Sequence, residues 1–464
     1  MNIDSRLIYF AQISDTGRKN MKVVIAGAGE VGTHLAKMLS KENHEIVLID
    51  EDNEKLEKLS NQVDLLTICG AANSINDLKE TGISKADLFI AVTPFESRNV
   101  LACILAKDLG AKKTLARINN AEYLKKINKP KFINLGVDEL IYPETLAANE
   151  IVASVKQPGA RVTHEFSGGK LMLSGIKIRE NATIVNKTLN DIGIISNDFR
   201  AVAITRGDAT IIPHGKDMIM PGDIVYFVTT PSAMNELYEK TGKTYFGVKN
   251  IMLLGGSRIA QKTAEKLSDQ FNIKIIDLNK ERCQQIADRL GNVLVINGDG
   301  RNLELLKEEG IEKMDAFVAV TGNSETNILT CQLAKKMGVK RTVAEIENID
   351  FISLAEQVGI GSVINKKFIA ASFIYRFSMS SEISNVKCLS STEAEAVEVI
   401  ARPGSKVTMN LVRNLDFPND AKIGGIIRNE HGFIAKGDTQ IIEGDKVVVF
   451  ALPSAIKKID KFFK

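Results

Sequence analysis

The chain has 464 residues, 44% hydrophobic and 25% charged, with a formal net charge of +3. At roughly 100–200 residues per domain this allows two to four domains, each with a sizeable core. The net charge is too small, and its lysines and arginines too interspersed with acids, for a nucleic-acid partner. No apolar run approaches the ~18 residues needed to span a bilayer.

Residues 1–20 carry early charges and only a short apolar stretch, so they read as a poorly ordered extension rather than a signal peptide. From Lys22 the pattern changes. Short β-branched runs near 22–27, 45–49, 64–68, 87–93, 113–118 and 137–142 alternate with amphipathic helical patterns. Strand runs that are apolar throughout belong to a parallel sheet covered on both faces, which predicts a Rossmann-type unit over 21–142. Residues 143–242 then predict a linker helix and a small α+β domain. Its run Met220–Val228 (MPGDIVYFV) reads as a hairpin strand after a Gly-Asp turn.

The same plan returns. Lys22–Leu39 (KVVIAGAGEVGTHLAKML) reappears as Asn250–Leu267 (NIMLLGGSRIAQKTAEKL), and Asp87–Ile118 reappears as Asp315–Ile346 in matching order and spacing. The chain is therefore a tandem duplication. A second Rossmann unit spans 248–370, and 371–464 holds a second linker helix and small domain, with Ile442–Phe450 (IEGDKVVVF) echoing the first hairpin signal. The fold class is α/β: two Rossmann-like doubly wound parallel-sheet domains, each followed by a small α+β domain. The cysteines Cys69, Cys103, Cys283, Cys331 and Cys388 form no C-x-x-C pair and read as small buried hydrophobes of a reducing compartment.

Gly27-Ala28-Gly29-Glu30-Val31-Gly32 forms G-x-G-x-x-G between a strand and a helix. The first glycine permits the tight turn, the second lets a pyrophosphate approach, and the third lets helix pack on strand. The helix N-terminus then offers N–H groups and positive dipole to phosphate. Asp50, at the end of the second strand, suits an unphosphorylated ribose diol, which NAD(H) and adenosine nucleotides share. In the second copy Gly255 is kept, Ser257 and Ala260 replace the later glycines, and Asp277 supplies the ribose acid. Arg258 stands beside the expected phosphate position, where it either pairs with phosphate or is simply solvated.

Thr93, Glu96 and Asn99, spaced T-x-x-E-x-x-N, have counterparts in Thr321, Glu325 and Asn327, where the acid stands one residue later in an otherwise shared frame. Both frames lie at the carboxyl edge of the sheet, where ligands of open α/β folds bind, although Thr also serves as a helix cap. Arg98 and Arg117 lie at that edge as candidate phosphate contacts, and Thr326 and Glu345 replace them in the second copy. Asp299, in Gly298-Asp299-Gly300, stands where the first copy has Gly70-Ala71-Ala72. The first site is expected to accept a dinucleotide, and the second a mononucleotide or a weaker ligand.

In their tandem arrangement these features, over about 21–464, resemble the TrkA family of bacterial potassium uptake systems, with paired RCK (or KTN) nucleotide-binding domains. The resemblance implies a cytoplasmic, membrane-peripheral regulatory subunit that gates a Trk-type potassium channel (TrkH or TrkG) in response to NAD(H), ATP and ADP. It also implies a homo-oligomeric ring, dimer or tetramer. A regulator of another cation channel or antiporter would share these features. A dehydrogenase would need an acid/base group facing the nicotinamide. His34, His44, His164, His214 and His431 are not so placed, and the Y-x-x-x-K pair Tyr245 and Lys249 lies in a linker. Neither a catalytic set nor a metal cluster is expected.

Overall fold

The computed structural model describes residues 21–40, 44–195, 198–207, 209–243, 246–378, 383–388 and 394–463. The N-terminal extension and Tyr245 lie outside them. Strands β1 (Lys22–Ala26), β2 (Glu45–Asp50), β3 (Leu66–Cys69), β4 (Leu88–Ala91), β5 (Lys113–Arg117) and β6 (Glu139–Ile141) form one parallel sheet in the order β3-β2-β1-β4-β5-β6. Val23, Val24, Ile25 and Ala26 are fully buried, as a central strand covered on both faces requires. The order reverses between β1 and β4, which opens the crevice where such folds take ligands.

The small domain that follows contains β7 (Val162–Phe166), β8 (Leu171–Lys177), β9 (Phe199–Arg206), β10 (Ala209–Ile211) and β11 (Ile224–Thr229), in the order β10-β9-β11-β8-β7. The Gly-Asp signal does not mark a hairpin strand here. Strand β11 sits antiparallel between β8 and β9, in the middle of its sheet. Its Val225, Tyr226, Phe227 and Val228 are all fully buried, so a two-sided apolar run takes the central place rather than pairing with its neighbour in sequence. Asp223 is itself buried. It accepts Arg206 Nε (2.9 Å) and Nη2 (2.8 Å) and the Met220 amide (2.9 Å), which holds the turn.

The second half repeats both layers. Strands β12 (Asn250–Leu254), β13 (Asn272–Asp277), β14 (Val293–Asn297), β15 (Ala316–Ala319), β16 (Arg341–Glu345) and β17 (Ser362–Ile364) run β14-β13-β12-β15-β16-β17. Then β18 (Ile383–Cys388), β19 (Glu395–Ile400), β20 (Ala421–Arg428), β21 (His431–Ile434) and β22 (Lys446–Ala451) form the second small sheet, with β22 central and Asp445 again gripped by an arginine, Arg428. Of the cysteines, Cys103, Cys283 and Cys331 are buried but Cys69 is exposed, because the edge strand β3 leaves one face uncovered.

Six helices carry the argument: α1 (Glu30–Ser40), α2 (Glu96–Asp108), α3 (Pro143–Lys156), α4 (Arg258–Leu267), α5 (Ser324–Lys336) and α6 (Lys366–Ser378). The two halves exchange helices. Helix α3, which leaves the first Rossmann unit, packs on α4 of the second, while α6 packs on α1 of the first. Ala147, Ile151 and Val155 join the core of Ile259, Ala260 and Ala264, and Ala370, Ile374 and Tyr375 join that of Val31, Leu35 and Leu39. Buried Arg341 of β16 donates to Ser154 Oγ (2.5 Å) and to the Pro158 carbonyl (3.2 Å), which ties the tail of α3 to the second sheet.

The two small sheets also face each other. Leu171, Val202 and Val228 of the first pack with Ala396, Ile427 and Phe450 of the second. At their edge Lys422 Nζ donates to the Pro213 carbonyl (2.6 Å). Burial, then the nearby Arg200 charge, pushes the Lys422 pKa down to about 7. An unfolded lysine titrates near 10.4, so between about pH 7 and 10 the folded chain binds fewer protons, and its stability rises with pH. The urea midpoint of the full chain should therefore increase from pH 6 to pH 9. Lys422→Met should flatten that slope and raise the midpoint at pH 6. Equal slopes in the two proteins would refute the assignment.

Candidate nucleotide site

The loop after β1 divides its three glycines by role. Gly27 has φ +111°, and a Cβ on it would come within 3.0 Å of the Thr93 amide. A Cβ on Gly32 would come within 1.9 Å of the Gly27 carbonyl, so helix and strand close on that residue. A Cβ on Gly29 would meet nothing within 4 Å. The fold therefore needs the first and third glycines, while the second faces open space at the start of α1. That is where an approaching phosphate needs room. Ala28 and Val31 are buried beneath this face.

Asp50 lies at the end of β2 and is half-buried. Its Oδ2 accepts the Ala28 amide (2.6 Å) and its Oδ1 the Asp52 amide (2.9 Å), so the loop holds it in place. A carboxylate offers about four acceptor positions, which leaves one lone pair on each oxygen for a diol. Arg117, behind the rim, keeps a buried Nε without an acceptor among the described residues. An open glycine face, a fixed carboxylate and an orphaned guanidinium nitrogen fit an adenosine nucleotide.

The T-x-x-E-x-x-N frame builds the rim. Buried Asn99 donates to the carbonyls of Thr93 and Arg117 (both 2.9 Å) and accepts Thr93 N (3.0 Å) and Thr93 Oγ1 (2.6 Å). Asn327 makes the same four bonds with Thr321 and Glu345, at 2.6–3.1 Å. These amides are fully spent tying β4 to β5 and β15 to β16, so they shape the crevice. Neither Thr caps the following helix, since Phe95 and Asn323 hold those N-cap positions. Glu96 accepts the amides of Asn119 (2.5 Å) and Asn120 (2.7 Å). In the second unit Ser324, beside exposed Glu325, does this instead by accepting the Glu347 amide (3.0 Å). Arg98 crosses the rim to both carboxylate oxygens of Glu51 (3.2 and 3.1 Å) and lies over the Phe95 ring.

The second site keeps the frame and changes the chemistry. Gly255 has φ +96°, and buried Asp277 accepts the amides of Gly256 (2.6 Å) and Asn279 (2.8 Å), as Asp50 does in the first. Asp277 also accepts Arg282 Nη1 (3.1 Å), where the aligned Lys55 turns instead to Asp52. Ser257 caps α4 with its own hydroxyl, which takes up the Ala260 amide (3.4 Å). Glu345 replaces Arg117 and is buried beside Lys366 (3.5 Å), and burial raises its pKa. Asp299 is held by Arg301, at 2.8–3.2 Å, which lowers its pKa.

Each loop is also touched by the opposite unit, which no local motif could show. Lys367 of α6 forms an ion pair with Glu30, and Arg258 donates to the Asn119 carbonyl (3.5 Å). Arg282 is discoverable from its position five residues beyond Asp277, but Lys367 is not, because it lies more than three hundred residues from the loop it approaches.

The TrkA-N domain model matches residues 23–143 and 251–366, and the TrkA-C domain model matches 173–242 and 396–464. Trk system potassium uptake protein TrkA homolog 1 of Methanosarcina mazei is 34% identical over 455 residues, covering 96% of this chain and 100% of the relative. TrkA of Halomonas elongata is 31% identical over 451 residues, covering 96% and 99%. Among solved structures, the GsuK RCK domain aligns over 99% of both chains with a TM-score of 0.59 at 14% identity. The GsuK channel bound to NAD aligns over 99% of this chain and 82% of that one, with a TM-score of 0.58 at 15% identity. At those identities the structures speak for the fold alone. The domain models alternate twice and the relatives align nearly end to end, so this chain belongs to the TrkA family.

Proposed function

We propose that the chain is a nucleotide-sensing regulatory subunit of a Trk-type potassium channel, acting at the cytoplasmic face of the membrane, and not an enzyme. The observation that carries this is the first loop, where Gly29 faces open space beside the fixed carboxylate of Asp50. Relatives of nearly equal length are named as Trk potassium uptake proteins, and a channel of the same fold has been solved with NAD. NAD(H), ATP and ADP all carry the ribose diol that suits Asp50, and TrkH or TrkG would be the membrane partner.

The signal has a structural route. Helix α1, whose N-terminus would meet the phosphates, packs on α6, the helix leading to the second small domain. A ligand that shifts α1 therefore bears on the other half of the chain. Coupling of this kind supplies about 1–3 kcal/mol per site, and full switching takes about 5.5, so several sites acting in a ring are required. Exposed Leu101 and Leu329 occupy equivalent positions on α2 and α5 and would suit contacts between copies. Among the described residues no helix is long and apolar enough to cross a membrane.

Calorimetry with NADH, NAD, ATP and ADP tests the first site. Gly29→Ala should leave folding stability within about 1 kcal/mol of the parent, since the space is open. It should weaken nucleotide binding roughly tenfold, as should Asp50→Ala, which removes a charged hydrogen-bond acceptor. Parental affinity in both variants would place the nucleotide elsewhere.

The second site is weaker because Arg282 holds Asp277. In an Asp50→Ala background, Arg282→Ala should raise the residual nucleotide affinity by roughly fivefold or more, the scale of one charge-assisted bond. Unchanged affinity would mean that Asp277 does not contact ligand. For the whole chain, potassium flux through the reconstituted channel should respond to at least one of these nucleotides in the parent. Flux should become indifferent to that nucleotide in the Gly29→Ala variant.

A further inference from the structure

The exchanged helices bring the same two positions of each unit to the shared interface. One is the first residue of the loop helix, Glu30 or Arg258; the other is the second residue of the crossover helix, Glu144 or Lys367. The internal repeat makes Glu30 the equivalent of Arg258. Glu144 is the equivalent of Lys367, since β6 and β17 end at Ile141 and Ile364, three residues before each. The first unit is thus acidic at both positions and the second is basic at both.

Across the interface acid meets base. Lys367 pairs with Glu30, and it is the less exposed of the two, at 17%. In the other half of the interface, Arg258 reaches back to the first unit at Asn119. Arg258 and Glu144 both bear on the Tyr142 hydroxyl; burial and then Glu144 raise its pKa, and Arg258 opposes them. Among the described residues the Glu144 carboxylate keeps a buried oxygen without a hydrogen-bond partner, so its charge is sensitive to the sign of what faces it. Lys366 is held chiefly by Glu345 and Glu347 of its own unit, and Glu144 adds to their pull from across the interface, so there too acid faces base.

The apolar part of the interface cannot discriminate between units. Val31, Ala36 and Leu39 on α1 match Ile259, Ala264 and Leu267 on α4, while Ala147 and Ile151 on α3 match Ala370 and Ile374 on α6. Two first units, or two second units, could bury these faces nearly as well. We propose that the charge inversion makes each pairing face self-rejecting, so that the first Rossmann unit accepts the second and not another copy of itself. A pair of first units would set Glu30 against Glu144 twice, and a pair of second units would set Arg258 against Lys367 twice. Like charges brought together in a partly dry interface oppose the wrong pairing without weakening the right one. A chain with two similar faces would otherwise join its neighbours into open-ended strings.

Cysteines at His34 and Phe368, whose rings lie 4.3 Å apart across the interface, report correct pairing in the full chain through a short bismaleimide cross-link. Exchanging Glu144→Lys with Lys367→Glu keeps the net charge. It also sets like charges across the native contact and opposite charges across either homotypic one. The 34–368 link should then fall by roughly fivefold or more. Adding Glu30→Lys and Arg258→Glu restores the complementary signs and should return the link to within about twofold of the parent. An unchanged link in the exchanged variant would overturn the proposal. So would failure of the fourfold variant to recover it, since the loss would then be structural.

Discussion

The exchange of α3 and α6 between the Rossmann units is the constraint on which the rest of the molecule depends. Helix α1 buries Val31, Leu35 and Leu39 in a core to which α6 contributes Ala370, Ile374 and Tyr375. Burying such aliphatic side chains contributes about 1.5–3 kcal/mol each, so neither unit could leave these faces in water at small cost. The exchange also brings a residue of each glycine loop into contact with the other half. Lys367 beside Glu30 and Arg258 beside Asn119 are consequences of that packing.

Within this frame the duplicated units have kept their scaffold and diverged in what faces the crevice. Gly27 and Gly255 hold the same strained turn, and Asn99 and Asn327 make the same four hydrogen bonds. Asp50 and Asp277 hold their loops in the same way. The differences lie in groups that the fold does not require: Gly29 against Ser257, Arg117 against Glu345, and Lys55 against Arg282. An acceptor already bonded to a guanidinium is a poorer partner for a ribose than one held only by backbone amides, because the ligand must displace a charged bond. The two carboxylates thus differ in what holds them, backbone amides alone for Asp50 and amides with a guanidinium for Asp277.

The small domains add a second interface. Their sheets pack face to face through Leu171, Val228, Ile427 and Phe450, so the chain closes on itself at both its Rossmann and its small-domain layers. A conformational change that begins at a nucleotide loop must then move halves joined in two places. The expected response is a concerted rearrangement rather than a local one, because close-packed interfaces shift between discrete arrangements.

The sequence by itself determined the duplication, the doubly wound sheets and the glycine loop with its acid, because these depend on short-range periodicity and backbone sterics that a local pattern carries. It misjudged the Gly-Asp runs, whose apolar residues read equally well as a hairpin or as a central strand. Partner choice there rests on burial of both faces, as Tyr226 and Phe227 show. It also offered Thr93 and Asn99 as ligand-binding candidates, yet only the packed strand ends revealed that the asparagine is already bonded to Thr93 and Arg117. What only the tertiary structure decided is which unit each linker helix joins, which groups of the other half reach each loop, and which loop carboxylate is already bonded to a guanidinium. Those outcomes depend on side chains hundreds of residues apart meeting in space, and the physical cause is the shared apolar interface that brings them together.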